Sequence, residues 1–134
     1  MASRPTEPTW LTRVVVDAIH TDQIREHGGL PGLRDENALE SALTRPRQKW
    51  LYEQSADLAS LGAAYGFGLT RNHPYTDGNK RVALVTMLTL LAINGRDIDA
   101  AEDDVLTAML TLAAGRLTES GLADWLRSRT VQTR

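Results

Sequence analysis

The chain has 134 residues, with fifteen Lys and Arg against seventeen Asp and Glu, a net charge of −2, and 42% hydrophobic residues. That balance excludes the basic footprint of a dedicated nucleic-acid binder and the acidic profile of a disordered tail. The length suits one domain, 1–134, that buries about two-thirds of its unfolded surface without a staple, and zero cysteines exclude thiol catalysis, disulfides and thiolate metal sites and fit a reducing cytoplasm.

Residues 1–9 hold two prolines among mostly polar residues and predict a loose N-terminal arm with no signal-peptide core. From Trp10, the residues Leu11, Val14, Val15, Ala18 and Ile19 recur at helical spacing until Gly28 and Gly29 stop the pattern. Residues 27–33 carry three glycines and a proline, which demands a shaped loop. Asp35 is placed to cap a short helix with Ala38, Leu39, Ala42 and Leu43, ending before Pro46. Residues 45–54 mix Arg45, Arg47 and Lys49 with Trp50, Leu51 and Tyr52, and predict an extended or hairpin-like flap, which either binds a target segment by strand addition or is an ordinary connection with Trp50 tucked into the core.

Helical spacing resumes over 56–69 through Leu58, Leu61, Tyr65 and Leu69. The next helix, from 77 or 78 to 94, is apolar on nearly every face and is expected at the centre of the fold. Its uncharged run, 82–95, has fourteen residues, too few to span a bilayer. Asn94 and Gly95 end it. Asp99, with Glu102 in capping-box position, is expected to start a helix reaching 114, and Thr118 to cap a last helix through Trp125 and Leu126. The expected fold is all-α with one small flap.

Residues 72–81, NHPYTDGNKR, concentrate the chemistry. They place a base (His73), an acid (Asp77), an amide (Asn79) and two cations (Lys80, Arg81) directly before the apolar helix. With Arg71 the segment 71–81 carries a net +2. A helix N-terminus offers free backbone N–H groups and the positive end of the dipole, so phosphate is the natural guest. Gly78 allows a close backbone approach or a positive φ. Asp77 is a hard oxygen donor of the kind Mg²⁺ shares with nucleotide phosphates, and a histidine can take a proton from an attacking hydroxyl near neutrality. The set suits transfer of a phosphate-containing group; the competing reading is a plain turn and helix cap with solvated cations.

The run His73-Pro74-Tyr75-Thr76-Asp77-Gly78-Asn79-Lys80-Arg81 closely resembles the signature of the Fic/Doc superfamily, His-Pro-Phe-x-Asp/Glu-Gly-Asn-Gly-Arg. Adenylyl-transferring Fic enzymes keep glycine at the second-last position and often a further arginine three residues after the motif. Lys80 and Leu84 stand there, a pattern similar to the Doc (death-on-curing) toxins, and the likeness extends to residues 27–33 and the overall length. The resemblance implies a compact all-α toxin kinase that uses ATP and Mg²⁺ to phosphorylate a threonine of elongation factor Tu in the cytoplasm. It also implies neutralisation by the C-terminal segment of an antitoxin, with no membrane and no direct nucleic-acid partner. Carried over by position, His73 is the base, Asp77 the Mg²⁺ ligand, Asn79 a phosphate or loop-fixing contact, and Lys80 and Arg81 the phosphate clamps. Gly78 and Arg71 complete the expected nucleotide contacts. A lysine filling the space that Fic enzymes leave open would change the nucleotide pose and favour γ-phosphoryl over AMP transfer. Nucleotidyl transfer and a non-enzymatic helical binding module stay open as alternatives.

Tyr75 replaces the family's Phe, and its hydroxyl needs a partner. Val82 and Val85 stand where the Doc prototype is polar. His20 and His27 read as structural or solvent-facing, Trp10 and Trp125 as packing, and the acids of 97–104 as loop and cap charge. The internal inhibitory motif of single-helix Fic enzymes, Ser/Thr-x-x-x-Glu-Gly/Asn, is matched only in its first part by Ser3 and Glu7, so restraint is expected from another chain.

Overall fold

The computed structural model describes residues 6–133; the first five residues of the expected arm, Ser3 among them, lie outside the described residues. Six helices and two short strands follow in order: α1 (Arg13–His27), α2 (Glu36–Tyr52), α3 (Leu58–Asn72), α4 (Asn79–Ile93), β1 (Arg96–Ile98), α5 (Glu102–Ala113), α6 (Glu119–Arg129) and β2 (Thr130–Gln132). The strands pair antiparallel, Arg96 opposite Gln132 and Ile98 opposite Thr130. No helix among the described residues is long and apolar enough to cross a membrane.

Local chemistry sets most helix starts. Thr12, Asp35 and Thr118 accept the N–H of Val15, Ala38 and Gly121, and Asp57 and Ser60 form a reciprocal capping box on α3. Asp99 does not cap α5 as its position had suggested. That helix begins at Glu102 without a side-chain cap, and the Asp99 N–H donates to the Arg129 carbonyl at 2.6 Å, prolonging the strand pairing. Glu102, Asp103 and Asp104 in its first turn complement the dipole instead.

Two expectations need larger correction. The segment 45–54 is not a flap: α2 runs through Pro46 to Tyr52. Leu39, Ala42, Leu43, Pro46 and Trp50 form one buried helical stripe that continues across the proline, and its burial outweighs the lost backbone bond. The centre of the fold is α3, with eleven of its fifteen residues buried, rather than α4, whose Leu84, Val85, Leu88 and Thr89 are only half-buried. Small residues explain the difference. A Cβ on Gly66 would stand 3.3 Å from Met87 Sδ and 3.5 Å from Leu122, and one on Gly68 would stand 3.3 Å from the Ala42 backbone. Glycine here lets α2, α4 and α6 close on α3 from several sides, giving one close-packed core. The chain leaves α3 at Asn72 and re-enters the core as α4 at Asn79, so the motif is the turn between two packed helices.

Candidate functional site

Between α3 and α4, His73 adopts left-handed backbone angles, φ 49° and ψ 53°, the one non-glycine positive φ among the described residues. It also precedes Pro74, a position that favours extended backbone. Holding a non-glycine residue there costs about 1–3 kcal/mol and persists only where neighbours over-determine it.

Asn79 is one such neighbour. Buried at the first turn of α4, its Oδ1 accepts the Tyr75 N–H at 2.9 Å and its Nδ2 donates to the Tyr75 carbonyl at 2.9 Å. That pair fixes the amide orientation, so the remaining Nδ2 hydrogen points at His73 Nδ1, 3.1 Å away. Nδ1 therefore accepts, and the neutral ring carries its proton on Nε2. His73 itself is exposed. The Tyr75 hydroxyl finds the partner it requires by donating to Asp17 Oδ1 at 2.7 Å, and burial together with this bond pushes the phenol well above its usual range.

Asp77 is held by backbone donors. Its Oδ2 accepts the Leu30 N–H at 3.1 Å and its Oδ1 the Gly78 N–H at 3.2 Å. Gly29 permits this approach: at φ 116°, a Cβ would stand 3.1 Å from both Asp77 Oδ2 and the tip of Ile24. Gly78, at φ 79°, starts α4 with no side-chain cap, leaving the first N–H groups of that helix without an intrahelical partner. Lys80 and Arg81 stand exposed in the first turn.

These residues surround one cavity of about 480 Å³, in the usual size range for small-molecule sites. Its lining includes His73, Asp77, Gly78, Asn79, Lys80 and Arg81, together with Gln23, Ile24 and His27 from α1 and Leu106 and Leu110 from α5. Arg71 is not brought in; its guanidinium lies 5.5 Å from the centre of the Phe67 ring. A second cavity, about 450 Å³, is lined by Trp50, Asp57, Arg96 and Arg127 among others and contains no motif residue.

Several contributors were not legible in the motif. His20, read as merely structural, is buried, stacks on the Tyr75 ring at 3.9 Å, and donates from Nε2 to the Asp77 carbonyl at 2.9 Å. His27 accepts from Arg81 Nη1 at 3.4 Å. Leu106 and Leu110 lie off the buried α5 stripe of Val105, Ala108, Met109 and Leu112, and a second apolar pair at i, i+4 was the available signal for them. Val82 is fully buried beneath the site, so a polar group at 82 would have to be satisfied inside the core.

No group of three or more His, Cys, Asp or Glu among the described residues forms a metal cage. The exposed Asp77 carboxylate beside the uncapped N-terminus of α4 nevertheless fits Mg²⁺, which takes one or two carboxylates and fills its remaining positions with water and phosphate oxygens.

The sequence matches the model of the Fic/DOC family over residues 10–91, from ahead of α1 almost to the end of α4. The chain belongs to the Fic/Doc family. Within it, the chain is 36% identical to the protein kinase doc of Escherichia phage P1 over 111 residues, covering 82% of this chain and 86% of the relative. It is 40% identical to the toxin Doc of Mycolicibacterium smegmatis over 84 residues, 57% of this chain and 64% of that protein. The crystal structure of BepC, a VirB-translocated effector of Bartonella tribocorum with bound AMPPNP, shares the fold at a TM-score of 0.50 and 19% identity, covering 74% of this chain and 49% of that one.

Proposed function

We propose that this protein is a Doc-like toxin whose single domain, 1–134, transfers the γ-phosphate of ATP to a protein threonine. The observation that carries the reading is the convergence of His73, Asp77, Lys80, Arg81 and the uncapped start of α4 on one cavity. The kinase and toxin relatives support it.

In this reading the α4 N–H groups, Lys80 and Arg81 bind the nucleotide phosphates, with Gly78 giving close backbone approach and Asn79 fixing the loop. Asp77 would hold Mg²⁺, which supplies neutralisation of phosphate charge when bound. The target hydroxyl oxygen forms a bond to the γ-phosphorus, the β–γ bridge breaks, ADP leaves, and the hydroxyl proton passes to His73. The resting ring presents Nε2–H outward, so His73 must release Nδ1 from Asn79, or turn over, before its outward nitrogen can accept that proton. Positioning and charge neutralisation do most of the catalysis in such transfers. The target is a threonine of elongation factor Tu, the site of action is the cytoplasm, and the C-terminal segment of an antitoxin restrains the enzyme.

Induced expression tests this. Wild type should arrest growth, and His73→Ala and Asp77→Asn should abolish the arrest while folding normally. Growth arrest by both variants would overturn the assignment of base and metal ligand.

A further inference from the structure

We infer that Arg34 is a positioning residue for His73, its guanidinium clamping the end of α3 so that the imidazole stays at the mouth of the cavity. The inference rests on the reading of His73 as the base. It starts from an unmet need at the α3 terminus. The last carbonyls of a helix have no intrahelical donor, and the usual remedy is a glycine in the left-handed region followed by a residue whose N–H returns to the last turn. Here the left-handed residue is His73, and the residue after it is Pro74, which has no N–H to return.

Arg34 supplies the missing donors from another element. Its Nε donates to the His73 carbonyl at 2.7 Å and its Nη2 to the Asn72 carbonyl at 2.9 Å. The planar fork of a guanidinium spans two neighbouring carbonyls in a way a single ammonium cannot. The backbone beneath is tied to the same turn. The Arg34 and Asp35 N–H groups both donate to the Pro74 carbonyl, at 2.8 and 3.0 Å, and the Thr76 N–H donates to Gly32. Residues 32–35 thus strap the motif turn on one side while Asn79 grips it on the other. Arg34 is exposed, so its role is this clamp rather than core packing.

Removing the fork frees residue 73 to relax toward the extended backbone preferred before proline. The ring would then drift from the mouth of the cavity, which costs rate, and its resting contact with Asn79 would loosen, which the tautomer reports. The lining of the phosphate end, Lys80, Arg81 and the start of α4, would stay in place.

The test joins kinetics with ¹⁵N NMR of the three histidines. Arg34→Ala should lower kcat about 10- to 100-fold with the KM for ATP changed less than about twofold, the signature of a lost orienting contact. Its His73 ring should move from a single Nε2–H tautomer to a mixture. Arg34→Lys should recover part of kcat and part of the tautomer preference, and it carries the same test should Arg34→Ala not fold. An unchanged kcat with unmoved His73 resonances overturns the inference. So does a loss matched by the unfolded fraction alone, with no recovery in Arg34→Lys. A wild type without any transfer activity would sink the functional reading, while a shift of the His73 resonances in the variants would still establish the clamp.

Discussion

Replacing Asn79 tests the turn at its tightest point. Asn79→Ala strips the buried Tyr75 N–H and carbonyl of both partners at once. Each orphaned buried group costs about 1–3 kcal/mol, so the total loss should be about 2–6 kcal/mol. For a domain of this size each kcal/mol lowers Tm by about 3–5 °C, which predicts a fall of about 6–30 °C. Asn79→Asp separates geometry from chemistry. It keeps an acceptor for the Tyr75 N–H but turns an oxygen toward the Tyr75 carbonyl and toward His73 Nδ1, where the structure has donors. The variant should be destabilised less than Asn79→Ala, and His73 should move its proton to Nδ1 to meet the new carboxylate. Thermal unfolding by circular dichroism measures the first effect and ¹⁵N shifts of the imidazole the second. A Tm for Asn79→Ala within about 2 °C of wild type, well under the loss expected for even one orphaned group, or a wild-type His73 protonated on Nδ1, would refute the reasoning.

Other consequences are equally open to measurement. Because residue 73 is left-handed, His73→Gly should unfold at a Tm about 3–5 °C above that of His73→Ala, with both inactive; equal Tm values would remove the argument for backbone strain. Lys80→Gly should cut phosphorylation roughly 10- to 100-fold, the equivalent of a charge-assisted contact of about 1.5–3 kcal/mol expressed in the transition state; an unchanged rate would make Lys80 a bystander. Burial tends to raise the Asp57 carboxyl, but the Arg127 guanidinium and the Ser60 N–H overcome this and hold it below the usual range. Its stabilising share is therefore present above the ordinary Asp value of about 3.9 and lost as pH falls through the lower folded value. Asp57→Asn should be less stable than wild type at neutral pH and should flatten the acid limb of a Tm–pH curve, and an unaltered limb would contradict the assignment.

The site was legible where its residues are contiguous. His73, Asp77, Gly78, Asn79, Lys80 and Arg81 lie within one turn, so their types and order could be read directly, and the structure places all six around one cavity. The parts that were not legible come from distant segments. His20 reaches Asp77 across 57 positions, and Arg34 reaches His73 across 39. Nothing in their local spacing announces either contact. Pro46 misled because a proline signals a helix end only when no packing opposes it; the stripe continuing to Trp50 was the counter-signal. The three-residue strands escaped because their pairing, Ile98 with Thr130, joins segments too short to show alternation. The centrality of α3 was hidden for a related reason: its glycines lower its apparent hydrophobicity while admitting its neighbours most closely.

The measurement that bears most directly on the central claim is the mass of elongation factor Tu after incubation with this protein, ATP and Mg²⁺. The account predicts a gain of about 80 Da on a threonine, the mass of one phosphoryl group delivered by γ-phosphoryl transfer. A gain of about 329 Da, the mass of an AMP group moved by the same in-line chemistry, would contradict it and make this protein a nucleotidyltransferase.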